Sequence, residues 1–197
     1  MKKLLYIDGC IRQEQSRTRR LAAAFFSALP EGYAVERVDL DALDIAPLTY
    51  KSLSKRNDLC AQSEYGHPMF ALARQFRGAD MVVVAAPFWD MGIPSKLKTY
   101  FEHVSVAGIT FEVKENGDCV GCCRAKRLIY LTTRGMEIEE GSVMEQASPY
   151  LNALALFFGI EGFDTVSAWG LDMNAEKEVE RRLRLAEDAA RELAQSL

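Results

Sequence analysis

The sequence predicts an α/β fold: a three-layer, doubly wound, five-stranded parallel sheet with a β-hairpin insertion, in one domain spanning residues 1–197. Three observations carry this. Short β-branched or apolar runs alternate with amphipathic helical stretches, the order that yields a parallel sheet covered on both faces. The run DMVVVAAP (80–87) is apolar after its first residue, as a strand buried on both sides must be. Glu115-Asn116-Gly117 separates two short strand-like runs, and Asn-Gly is the strongest short hairpin signal.

Each element follows in order. Residues 3–8 read as the first strand, and 17–29 as a helix with Leu21, Ala24, Phe25 and Leu29 on one face. Pro30-Glu31-Gly32 ends that helix, and AVERVDL (34–40) alternates as an edge-like strand. Residues 41–67 are the least regular stretch, a long and partly helical connection of the kind that serves as a functional loop or a partner contact. Helical pattern returns over 68–77 and closes at Gly78. After the central strand comes a helix over 95–106, then the hairpin strands 109–113 and 119–123. Residues 127–133 form a strand, 143–158 a helix, 162–169 the last strand, and 174–196 a charged helix capped by Asn174.

Bulk properties narrow the function. The net charge of −4 gives the chain no electrostatic reason to bind nucleic acid. The basic clusters Arg17/Arg19/Arg20 and Arg124/Lys126/Arg127 read as solvated helix faces. The apolar run after Lys2 and Lys3 stops at Asp8, too short for a signal peptide, and no stretch approaches the ~20 apolar residues of a membrane span. Five cysteines without a framework pattern fit reduced thiols, so the expected location is cytoplasmic. Cys119, Cys122 and Cys123 have no second ligand pair nearby and read as buried or half-buried thiols on the hairpin rather than a zinc site; no metal is expected.

A doubly wound sheet binds ligands at the carboxyl ends of its strands, where the strand order reverses. Three loops qualify. The first, Gly9–Thr18 (9–18), leads into a helix; Ser16 and Thr18 offer hydroxyls and free amides where a phosphate is stabilised, with Arg12 or Arg17 adding charge. On this loop alone, Ser16 as a plain helix cap is the stronger reading. The loop contains neither G-x-G-x-x-G nor G-x-x-x-x-G-K-[ST], which argues against a dinucleotide fingerprint or a P-loop. Asp8, just before it, has no evident use beside an anion.

The second loop begins Pro87-Phe88-Trp89-Asp90-Met91-Gly92, and aromatic residues directly after a buried strand suit a flat ring, or else cover the sheet edge. The third, Thr133-Arg134-Gly135-Met136, offers amides but by itself is only a turn. A hydrolase fits poorly: there is no G-x-S-x-G, and the two histidines, His67 and His103, fall in a loop and within a helix.

Taken together the three loops resemble the FMN-dependent NADH azoreductase and NAD(P)H quinone reductase family, whose fold is flavodoxin-like. The resemblance spans nearly the whole chain. It is strongest in APFWDMGIPSKLKTYFEHVSVAGITFEVKENG (86–117), which is similar to the family's A-P-x-[YW]-N-F-x-I-P-x-x-L-K…A-G-x-T-F…N-G. The resemblance implies FMN and NAD(P)H as cofactors. It carries phosphate binding onto Cys10, Ser16, Arg17 and Thr18, and ring binding onto Pro87, Phe88, Trp89, Asp90, Met91 and Gly92 and onto Thr133, Arg134, Gly135 and Met136. Cys10 replaces a serine, Asp90 an asparagine, Met91 an aromatic residue and Met136 a glycine, changes that bear on flavin affinity, potential and substrate range.

The implied activity is ping-pong hydride transfer from NAD(P)H to a quinone, azo compound or similar small-molecule acceptor. The cofactor carries the chemistry, so no catalytic acid–base side chain is expected. The resemblance also implies a homodimer with the site at the interface, and Phe111 and Phe157 (or Phe158) as pocket walls, although core packing suits each of them as well. The alternatives are a flavodoxin-type electron carrier, against which the modest charge, the hairpin and the long 41–67 connection argue, and a family member with altered flavin binding.

Overall fold

A computed structural model describes all 197 residues. Its five-stranded sheet contains β1 (Lys2–Asp8), β2 (Tyr33–Asp39), β3 (Met81–Ala85), β6 (Arg127–Thr133) and β7 (Gly162–Ala168), in the order β2-β1-β3-β6-β7. Every neighbouring pair is parallel. β4 (Phe111–Val113) and β5 (Cys119–Gly121) pair antiparallel as the separate hairpin. The chain runs outward from β1 to β2 and then returns past β1 to β3, so the order reverses between β1 and β3.

The period-two alternation of strands divides the core into two layers. Leu4, Tyr6, Val83, Ile129 and Leu131 face α1 (Arg17–Ser27) and α6 (Glu176–Gln195). Leu5, Ile7, Val82, Val84, Leu128 and Tyr130 face α3 (Ala71–Gly78), α4 (Ser95–Val104) and α5 (Ala147–Phe157). All five residues of β3 are buried, which accounts for its unbroken apolar sequence. Burial at roughly 1.5–3 kcal/mol per large aliphatic side chain makes this strand the anchor of both layers.

The 41–67 connection is more ordered than its sequence suggests. It holds α2 (Tyr50–Ala61), started by a reciprocal capping box in which Thr49 and Ser52 each bond the other's backbone amide. Its face is largely solvent-exposed and only Leu59 is buried, so apolar periodicity could not announce it.

Two helix starts differ from the sequence expectation. α5 begins at Ala147 rather than at 143, because the Glu145 carboxylate takes the amides of Ala147 and Ser148 at 3.0 Å each and closes the turn there. Asn174 does not cap α6. Its amide nitrogen donates to Glu137 and to the Gly170 carbonyl, and Ala175 occupies the cap position without a side-chain bond.

Candidate functional site

The carboxyl ends of β1, β3 and β6 open onto a cleft of about 250 Å3. Ten of the residues expected there line it: Cys10, Ser16, Arg17, Thr18, Pro87, Phe88, Trp89, Thr133, Arg134 and Gly135. The cleft lies beside the reversal of strand order, where a doubly wound sheet leaves two connections splayed apart.

One end is built to receive an anion. Ser16 is extended at φ −78°, ψ 118°, and its hydroxyl accepts from the Arg19 amide at 3.3 Å, so it is indeed the cap of α1. The cap and the ligand readings are compatible. Ser16 satisfies Arg19, while the first-turn amides of Arg17 and Thr18 have no intrahelical acceptor and lie at the positive end of the helix dipole. The Thr18 hydroxyl is buried and lies 2.6 Å from that of Thr133, tying the first loop to the third.

Asp8 acquires a role that the sequence did not disclose. It is buried; its Oδ1 accepts from the Cys10 amide at 2.9 Å, and its Oδ2 accepts from Arg19 at 2.9 Å and from Arg37 at 3.0 and 2.7 Å. The carboxylate holds the first loop from below and draws two guanidinium groups away from the cleft. The residues that reveal this lie 11 and 29 positions along the chain, beyond any local pattern. All three arginines of the first basic cluster are paired: Arg17 with Asp172, Arg19 with Asp8 and Glu14, and Arg20 with Glu180 and Glu187.

Cys10 lines the cleft, but its thiol donates to the Ala85 carbonyl at 3.6 Å, toward the sheet. Burial pushes this thiol up to about 12, with Asp8 adding to the rise and the Ser16 hydroxyl opposing it. It is therefore a neutral packing group near neutral pH. Neither its sulfur nor its amide, which is committed to Asp8, is free for a ligand.

The other end is an aromatic shelf. Phe88 is buried and Trp89 is 39% exposed. Trp89 and Gly92 exchange both backbone hydrogen bonds, at 3.1 and 2.8 Å, around Asp90 (φ 49°) and Met91 (φ 61°). This is the geometry of a type I′ turn, whose two central residues both need positive φ. The amides of Trp89 and Gly92 are thereby consumed, leaving those of Asp90 and Met91 without an acceptor. The Met91 carbonyl accepts from Gln146 at 3.0 Å, fixing the turn to the start of α5.

In the third loop, the amides of Gly135 and Met136 find no acceptor, while the carbonyls of Arg134, Gly135 and Met136 bond the amides of Leu171, Asp172 and Gly170. A Cβ at Gly135 would meet the exposed Asp172 carboxylate, which would have to swing aside. Leu171 and Asp172 line the cleft, as do Ile11, Arg12 and Gln15. The 171–172 pair was missed by sequence reasoning, although the loop after β7 also lies at a strand's carboxyl end and the same rule would have included it. Asp172 pairs with Arg17 at 2.6 Å across the mouth.

Asp90, Met91, Gly92 and Met136 lie beside the cleft rather than in its lining. Phe111 and Phe157 pack on each other, centroids 4.6 Å apart, and also stand outside it. No three His, Cys, Asp or Glu side chains converge as metal ligands. Cys122 and Cys123 are half-buried as expected, but Cys119 is exposed, as is the following Val120 in β5. His67 caps the 3-10 turn at Pro68–Phe70 and His103 bonds the Ala46 carbonyl, so neither reaches the cleft. No helix is long and apolar enough to cross a membrane.

The arrangement can hold an elongated molecule with an anion at the α1 end and a flat ring over Phe88 and Trp89. Comparison with known proteins places the chain among relatives of known kind. Residues 2–194 match a family described as having a flavodoxin-like fold. The FMN-dependent NADH:quinone oxidoreductase of Caldicellulosiruptor saccharolyticus is 34% identical, covering 97% of this chain and 99% of that protein. That of Clostridium beijerinckii is also 34% identical, with both chains covered in full. The crystal structure of an azoreductase from Bacillus anthracis superposes with a TM-score of 0.87 at 23% identity, covering both chains completely.

Proposed function

The chain belongs to the flavodoxin-like family of FMN-dependent NADH:quinone oxidoreductases, and from that membership we propose that its cleft binds FMN and passes reducing equivalents from NAD(P)H to quinones, azo compounds or related small electrophiles. One observation carries the assignment to this cleft: acceptor-free amides at the α1 N-terminus face an aromatic shelf across a gap between strand ends.

The residues fit the cofactor. Arg17 and Thr18 offer amides for a phosphate, and the acceptor-free amides of Gly135 and Met136 stand at the end of β6. When bound there, FMN would supply the two-electron redox chemistry that links nicotinamide to acceptor.

The chain's own residues bind, orient and shield. Phe88 floors the site and Trp89 presents a half-exposed ring edge where a second flat molecule would enter. The amides of Asp90, Met91, Gly135 and Met136 provide hydrogen-bond donors that need no reorganisation, because their turns are fixed by Gln146 and by the 170–172 segment. No side chain is asked to move a proton.

A second copy of the chain completes the site in this reading. The cleft is slightly smaller than the roughly 300–1,000 Å3 usual for ligand pockets. Trp89 in its lining and Met136 in its third loop leave apolar surface exposed. Cover by a partner explains both, and Phe111 and Phe157, which stand outside the cleft of a single copy, would contribute walls only in that assembly. Dependence on NAD(P)H suits a cytoplasmic enzyme.

Titration of the protein with FMN, followed by NADH oxidation with a benzoquinone, tests this. Perturbed flavin bands near ~450 nm and catalytic turnover are expected. Binding without turnover would mark an electron carrier, and absence of binding would overturn the reading.

A further inference from the structure

The third loop holds a charge that the chain does not fully pair. The Arg134 side chain is entirely buried, yet its Nη1 donates only to the neutral Ile138 carbonyl at 2.7 Å. Its Nε and Nη2 have no hydrogen-bond partner. The facing carboxylate, Glu145, is equally buried, but its Oε1 stands 3.9 Å from Nη2, beyond a hydrogen bond. That oxygen is already engaged: it accepts from the amides of Ala147 and Ser148 in the first turn of α5. The helix N-terminus therefore draws on the same negative charge that would otherwise neutralise Arg134. The remaining polar groups without partners in this layer, the hydroxyls of Tyr100, Tyr130, Thr132 and Ser148, are neutral.

The pair is also oriented. Arg134 lines the cleft and its guanidinium lies 5.3 Å from the centroid of Phe88, on the cleft floor; Glu145 does not line the cleft. The positive member is thus the nearer one, in a buried region where charge is screened less than in water. Burying a guanidinium with one good bond is costly, and an apolar pair of similar volume is often at least as stable. Stability does not explain the arrangement; a field directed at the cleft does.

We propose that Arg134 and Glu145 form a polarised pair that sets how far the site prefers two-electron-reduced, more negative FMN over oxidised FMN. Arg134 supplies the field, and Glu145 is a positioning residue that holds and partly offsets it. This rests on the FMN reading above.

The test is the midpoint potential of bound FMN, poised against reference dyes without oxygen, together with the dissociation constant for oxidised FMN. Arg134→Met lowers the relative affinity for reduced FMN by about tenfold, a fall of about 30 mV for a two-electron couple. Glu145→Gln shifts the potential the opposite way. Arg134→Lys and Glu145→Asp stay close to the parent, and the double variant Arg134→Met/Glu145→Gln returns toward it. A merely structural role would weaken both redox forms equally and leave the potential unmoved. Same-sign shifts from the two single variants, or no shift from either, overturn the proposal. Should Arg134→Met not fold, Glu145→Gln alone decides: a rise in potential supports the proposal, and a fall or no change overturns it. Failure of the parent protein to bind FMN is a separate result and defeats the functional reading itself.

Discussion

The hydroxyls of Thr18 and Thr133 lie 2.6 Å apart in the buried floor of the cleft, joining the first turn of α1 to the end of β6. Neither atom is exposed to solvent that would replace the other. Thr133→Val or Thr18→Val therefore leaves one buried hydroxyl unpaired and destabilises the fold by about 1–3 kcal/mol in urea unfolding. The double variant Thr18→Val/Thr133→Val costs less than the sum of the singles, because two apolar groups of the same shape no longer strand a partner. Additive losses would show that the two hydroxyls are not coupled.

Arg17 and Asp172 close the same mouth from opposite sides at 2.6 Å, both substantially exposed. An exposed pair of this kind contributes about 0–1 kcal/mol, so it exchanges readily for a better partner. A phosphate at the α1 N-terminus is such a partner for Arg17, and Asp172 then competes with it. Asp172→Asn accordingly tightens FMN binding several-fold by fluorescence titration, and Arg17→Ala weakens it by about tenfold. Thermal stability of the FMN-free protein changes little in either case.

The sheet was legible because its strands carry local signals: β3 is apolar throughout and β1 and β6 each hold a central run of four apolar residues, which is what burial on both faces demands. The cleft followed because the position of strand ends fixes where three loops meet. What escaped was whatever depends on residues far apart in sequence. Asp8 looked misplaced beside an anion until Arg19 and Arg37 came to it across the fold. Cys10 occupied the right position, but only the Ala85 carbonyl shows that its thiol turns inward. The partly helical character of 41–67 was legible but the bounds of α2 were not: it buries almost nothing, so the capping pair Thr49 and Ser52 was its one local mark.

The turn at Asp90 and Met91 stores strain, because a methionine at φ 61° pays for a conformation that asparagine or glycine adopts freely. Asp90→Asn keeps the type I′ geometry and removes a carboxylate next to the aromatic shelf. The expected result is a higher flavin midpoint potential with unfolding free energy unchanged within about 0.5 kcal/mol. Met91→Gly removes the strain but also the packing that Met91 makes against the core, so its stability moves by less than about 1 kcal/mol while the loop gains mobility. Loss of stability in Asp90→Asn would mean that the carboxylate, rather than the backbone, holds the turn.

The thiols of Cys10 and Cys123 are both pushed up to about 12, mainly by burial, whereas Cys119 is exposed. At pH 8 a thiol with that value is ionised to roughly one part in ten thousand, so iodoacetamide modifies Cys119 first and leaves Cys10 and Cys123 intact in the folded protein. The same shift makes stability pH-dependent with a definite sign. Above about pH 9 the unfolded chain releases these protons while the folded chain keeps them. The unfolded state then binds fewer protons, and stability falls as pH rises from about 9 toward 12. Urea midpoints measured at pH 7.5, 9 and 10.5 should be nearly level over the first interval and lower over the second. Cys10→Ala, which has no proton to release, should flatten part of that decline, and an unchanged slope would show that its thiol already ionises within the fold.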